Sequence, residues 1–133
     1  MVNFGPVETV PEKFRGRTFH VHNPTVTLMR TLPEECEAIG NRMAETLSRA
    51  RAETVVLLPE GGVSALDALG QPFFDKEADS RLFEAIRRGL DGAVHVRVES
   101  LPHHINDPEF ADLAWERLRE VMRTRTSGAE ERR

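Results

Sequence analysis

The stretch "TVVLLPEGGVSALD" (54–67) decides the fold. Its first six residues are apolar without alternation, the pattern of a strand covered on both faces and therefore of a parallel sheet. Gly61 and Gly62 follow at once. Two glycines let the backbone turn tightly and approach a ligand closely. Their N–H groups, with Ser64, offer a cradle for a phosphate or carboxylate; the alternative is a plain turn. The spacing fits neither the Walker pattern nor the dinucleotide fingerprint. The stretch 60–74 exceeds the ~12–15 residues beyond which loops in compact domains are usually functional or disordered. Phe73 and Phe74 lie at its far end, placed to anchor it or to stack on a base.

Working outward, "TFHVHN" (18–23) reads as a strand and "PEECEAIGNRMAETLSRAR" (33–51) as a helix. Cys36, Ile39, Met43, Leu47 and Ala50 recur at steps of three and four on its predicted inner face. Thr31 and Glu34 form a capping box at its start. Asp75 caps a helix over 76–90 with Ala78, Leu82, Phe83, Ile86 and Leu90 inward, and "AVHVRV" (93–98) is a third strand. The last helix, 108–124, turns Phe110, Leu113, Ala114, Leu118, Val121 and Met122 inward. Asp107 is its N-cap and Pro108 its first residue. Trp115 packs, or meets a partner. Residues 1–17 read as an N-terminal arm or loop and 125–133 as a flexible tail.

The order over 18–124 is β-α-β-α-β-α. It predicts an α/β fold, a three-layer Rossmann-like half-domain with a parallel sheet. Three strands leave two unpaired edges, which invite another chain. The expected partner is a second copy, giving a homo-oligomer, or a separate chain supplying a missing lobe.

Composition narrows the function. The chain has 133 residues, 39% hydrophobic and 30% charged, with net charge −4, which suits one globular domain. The negative balance gives no general attraction to nucleic acid or an anionic membrane. No apolar run approaches the ~20 residues needed to span a bilayer, and the N-terminus lacks signal-peptide features. The single cysteine, Cys36, has no internal disulfide partner, which points to a reducing cytoplasm; on a helix face it reads as a buried structural thiol.

In open parallel sheets ligands bind beyond the carboxyl ends of the strands. Three polar groups are expected along that rim: His22, Asn23, Thr25, Thr27 and Arg30; then Glu60, Gly61, Gly62, Ser64 and Asp67; then His103, His104, Asn106 and Asp107. His103 or His104 could serve as a general base oriented by Asp67 or Asp107, although Asp107 is better explained as an N-cap. Arg30 could grip a ligand anion bidentately or neutralise Glu34 or Glu35. His20 and His22 face the same side of their strand, but no carboxylate stands at a diagnostic spacing, so no metal site is assigned. His95, inside the third strand, reads as structural.

"VHNPTVTLMRTLPEE" (21–35), "LLPEGGVSALDALGQPFFDKEAD" (57–79) and "HINDPEFAD" (104–112) together resemble the C-terminal lobe of the Tm-1-like ATP-binding family, over roughly residues 1–122. The resemblance implies one of two Rossmann-like lobes and a nucleotide ligand, ATP or a relative of it. It carries His22, Asn23, Gly61, Ser64, Asp67, His104, Asn106 and Asp107 over as motif residues. It also implies truncation, since the first lobe is absent and "MVNFGP" (1–6) looks like an interior segment. The expected function is a ligand-binding lobe for a nucleotide or a small phosphorylated or carboxylated metabolite. The alternatives are a hydrolase or lyase using a histidine acid/base, or a non-catalytic assembly or regulatory subunit.

Overall fold

The computed structural model describes residues 1–130, with side chains through Arg123. The chain is α/β and carries a parallel sheet, as expected. It also carries a second, antiparallel sheet.

The parallel pair is β4 (Thr54–Pro59) and β5 (Val96–Leu101), aligned from Thr54 opposite Val96 to Pro59 opposite Leu101. The crossover between them contains α2 (Lys76–Leu90). Phe83, Ile86 and Leu90 of α2 pack with Leu58 into the main core, joined by Val56, Val96 and Val98. Alternation along the strands gives Val55 and Leu57 to the other face, where α3 (Pro108–Glu130) runs. Arg117 of α3 grips Glu99 of β5 at 2.8 and 3.0 Å. β5 begins three residues later than expected, because residues 91–95 form turns after α2. His95 is therefore an exposed turn residue, not a strand one, and its carbonyl accepts from the Thr54 N–H at 2.8 Å.

The expected first strand belongs elsewhere. β2 (Phe19–Asn23) reverses through Pro24–Thr25 into β3 (Val26–Met29), and the two pair antiparallel. Asn23 Oδ1 accepts from the Thr25 N–H at 2.9 Å and from its hydroxyl at 3.0 Å, an Asx turn that closes the reversal. A strand that doubles back on its neighbour cannot open a βαβ unit, so the sheet order β1-β3-β2 stands apart from β4-β5. β1 (Val2–Phe4) comes from the segment expected as an arm. Phe4 meets Phe14 and Phe19 at ring distances of 5.4 and 6.5 Å.

α1 (Pro33–Leu47) lies against α2. Its cap sits one residue later than expected: Glu35, not Glu34, folds back to accept from the Leu32 N–H at 2.8 Å. Its inner face also differs. Cys36, Gly40 and Ala44 are buried, whereas Ile39 and Met43 are 43% and 42% exposed. The reason is close approach: a Cβ on Gly40 would stand 2.6 Å from the Leu82 carbonyl oxygen, and one on Gly89 2.6 Å from Ala44 Cβ. On α3, Leu118 and Met122, expected inward, are exposed, as is Trp115 at 59%. The expected tail, 125–133, overlaps the last turns of α3, and 131–133 lie outside the described residues. No helix among the described residues is long and apolar enough to cross a membrane.

Candidate functional site

Parallel pairing of β4 and β5 brings their C-terminal loops together. The Gly61 N–H donates to the His103 carbonyl at 3.0 Å and the Ile105 N–H to the Gly62 carbonyl at 3.0 Å. Side chains are excluded from this seam. A Cβ on Gly61 would lie 2.5 Å from the His104 nitrogen, and one on Gly62 2.7 Å from His104 Cδ2. Gly62 also adopts φ +128°, a region closed to residues with a Cβ.

The glycines do not form the expected anion cradle. The Gly61 N–H is bound to His103, the Gly62 N–H donates to the Pro59 carbonyl at 3.1 Å, and the Val63 N–H donates to Asp67 Oδ2 at 3.0 Å. Three donors in a row are spent on the protein itself.

His104 is likewise committed. The Asn106 N–H donates to its Nδ1 at 3.1 Å, so the ring proton sits on Nε2, which donates to the Ser64 carbonyl at 2.9 Å. Neither nitrogen is free to take a proton from a substrate. Asp107 turns its carboxylate back to the His104 N–H at 2.7 Å, so it ties this loop rather than capping the first turn of α3. His103 is half-buried, Asn106 is exposed, and the Ser64 hydroxyl is buried without a partner.

A cavity of about 290 Å³ opens between the Glu60–Gly62 turn and α2. Of the residues singled out from sequence it gathers Glu60, Gly61, Gly62, Asp67 and Phe74. The opposite wall is one face of α2: Lys76, Asp79, Ser80, Phe83, Glu84 and Arg87, with Phe74 at one side. Sequence reasoning missed this wall. Its signal was present in Asp79, a carboxylate one position past Ala78 and four before Phe83, on the border of the apolar stripe of α2.

Beneath the cavity lies an ion cluster. Arg30 is buried and donates to Asp79 Oδ1 at 2.7 Å and to Asp67 Oδ1 at 3.1 Å. It therefore faces neither Glu34 nor Glu35. Arg17 takes Glu35 instead, at 2.6 and 3.1 Å. Burial, with a smaller contribution from neighbouring Asp67, pushes the Asp79 carboxyl up to about 6 against the lowering pull of Arg30. At the mouth Arg87 pairs with Glu60 and reaches the Ser100 hydroxyl at 3.2 Å.

His22, Asn23 and Thr25 sit exposed at the β2–β3 hairpin end and do not line the cavity. Thr27 is fully buried in β3. The His20 and His22 rings are 6.5 Å apart. Among the described residues no group of three or more His, Cys, Asp or Glu is placed to hold a metal ion. Cys36 is buried, its Sγ 3.1 Å from the Thr31 hydroxyl.

Residues 1–122 match the Uncharacterised protein family (UPF0261) C-terminal domain. The chain is 55% identical to a UPF0261 protein of Mesorhizobium japonicum over 84% of its own length and 28% of that protein's. It is 43% identical to one from Clostridium tetani over 92% of its length and 30% of that protein's. It is 46% identical to the ToMV resistance protein Tm-1(GCR237) of Solanum lycopersicum over 84% of its length, covering 15% of that protein. The chain thus spans under a third of the length of these relatives. By this match the chain belongs to the UPF0261 family, in the part that forms its C-terminal domain.

Proposed function

We propose that this chain is a ligand-binding lobe for a small phosphorylated or carboxylated metabolite, with a nucleotide such as ATP as the larger candidate. The observation that carries the reading is the cavity at the carboxyl end of β4, where a desolvated Asp79 faces open space. Lys76 begins α2. Its ammonium and the positive end of the helix together favour an acidic group there. The volume, about 290 Å³, is at the small end of the roughly 300–1,000 Å³ typical of ligand sites. A small acid fits within this chain; a whole nucleotide needs a further wall, which the remaining two-thirds of a longer relative could supply. Calorimetry with succinate, inorganic phosphate, AMP and ATP, on this chain and on a full-length relative, tests the reading. Binding weakened by Lys76→Ala is expected. No heat from any probe with either folded protein defeats it.

A second reading, assembly, is favoured by the two-stranded parallel sheet, whose outer edges are unpaired among the described residues. In this reading a strand from another copy of the chain extends it. Sedimentation velocity across a concentration series checks this, and a single monomeric species throughout rejects it.

A further inference from the structure

The unpaired charges of the cavity point to the other end of the ligand. Arg87 is neutralised by Glu60 at the mouth. On the floor, one guanidinium, Arg30, faces two carboxylates, Asp67 and Asp79. With both ionised, that cluster carries one uncompensated negative charge. Among the described residues Glu84 on the wall adds another without a cation partner, and Lys76 has no carboxylate partner, its Nζ lying 6.0 Å from the Phe74 ring centroid. The loop N–H groups that would have welcomed an anion beside the glycines are already bonded. The cavity is thus cationic at the start of α2 and anionic one turn on, where the single guanidinium of Arg30 is shared between two carboxylates.

We propose that the cavity takes a zwitterionic metabolite, an amino-substituted carboxylic or phosphoric acid, whose ammonium group binds Asp79 while its acid lies at Lys76. The inference rests on the ligand-binding reading above and specifies its ligand class. Asp67 is 1% exposed and has both oxygens engaged, by Arg30 and by the Val63 N–H. Asp79 is the more open member of the pair, its side chain 13% exposed. An ammonium group there donates to a carboxylate in a desolvated site, where a charge-assisted hydrogen bond is strong.

Binding should then be linked to protons. The groups facing Asp79 are Asp67 and Arg30 beneath it, Asp75, Lys76, Ser80 and Glu84 on its own helix, and Glu60 across the cavity. The Asp79 carboxyl, raised to about 6, changes charge near neutral pH. An ammonium needs it ionised, so binding releases a proton below that value. Lowering the pH from 7.5 to 5 should weaken binding about tenfold, the ratio of ionised fractions for such a group.

The test is two-dimensional NMR of the labelled chain titrated with 4-aminobutyrate, butyrate and butylamine at both pH values. The expected result is that 4-aminobutyrate binds at least tenfold more tightly than butyrate, shifts the amides of Gly62, Asp79 and Ser80, and loses about tenfold at pH 5. Asp79→Asn, checked for folding by its own spectrum, should bind 4-aminobutyrate no better than butyrate. If butyrate or ATP binds as well as 4-aminobutyrate, or if the amino acid shows no pH effect, this inference fails while the ligand-binding reading stands. If no probe, ATP included, shifts the cavity resonances, both fail. The wild-type comparison of amine with no amine decides the matter even where the variant does not fold.

Discussion

Asp79 ionises against the preference of the folded chain. Its carboxyl is raised from 3.8 to about 6, mainly by burial, so between those values the folded state holds a proton that the unfolded state has released. Stability therefore falls as pH rises from about 4 to about 6 and levels off above. Glu35, Glu37 and Glu45 work the other way, each held low by arginine partners, so the raw pH profile mixes both trends. Subtraction isolates Asp79: urea unfolding of the wild type and Asp79→Asn at pH 4, 5, 6 and 7 should show the variant gaining on the wild type as pH rises. A constant difference would remove the buried carboxylate from the account. A group kept where folding disfavours its charged form is a candidate for function. A second residue-scale expectation concerns Gly62. Its φ of +128° and the 2.7 Å approach of a Cβ to His104 predict a loss of about 2 kcal/mol or more for Gly62→Ala. A loss under about 0.5 kcal/mol in denaturant melts would show that the seam relaxes freely.

At the scale of elements, α1 and α2 meet through their smallest side chains. Gly40 lies against the Leu82 carbonyl and Ala85, and Gly89 against Ala44. In an isolated helix, Gly to Ala gains about 1 kcal/mol. Here a Cβ at position 40 would press on backbone at 2.6 Å, and overpacking typically costs roughly 1–3 kcal/mol. Gly40→Ala should therefore destabilise, and Gly40→Val more so, as read by thermal melts; a raised melting temperature in Gly40→Ala would mean the helices part without cost. The same contact explains what was legible in the sequence. The two helices starting at 33 and 76, the apolar strand at 54 and the Asp75 cap were readable, because hydrophobic period and capping chemistry are local, although the first helix ends at Leu47 and not at 51. The burying face of α1 was not, because a periodicity argument weighs Ile39 and Met43 heavily and gives Gly40 nothing. Likewise Thr25 and Thr27 read as rim polar groups, since the Asn23 turn that folds Val26–Met29 back as a strand depends on one side-chain oxygen. In the candidate site, the glycine turn and Asp67 could be read from the loop itself. The α2 wall could not, because which face of a helix meets a loop distant in sequence is a tertiary fact.

At the scale of the whole molecule, two sheets that share no strand must be held together by something other than backbone ladders. Arg30 is the main tie. It leaves the end of β3, enters the space between Asp67 and Asp79, and touches the Asp75 carbonyl at 3.3 Å. Arg17 adds a second tie, to Glu35 of α1 and to the Arg30 carbonyl at 2.9 Å. Removing the Arg30 guanidinium would leave two carboxylates buried against each other without a cation. Breaking a buried ion cluster by deleting one partner costs about 3–5 kcal/mol. Arg30→Met should therefore destabilise the chain far more than Asp79→Asn, and unevenly. Hydrogen exchange should quicken first in residues 19–29, whose sheet loses its anchor, while β4, β5 and α2 keep their protection. Arg30→Met combined with Asp79→Asn should recover part of the loss, because one of the stranded charges is gone; a double-mutant cycle reads that recovery. Uniform acceleration across both sheets would show that the two fold as one cooperative block, with Arg30 no more than one contact among many.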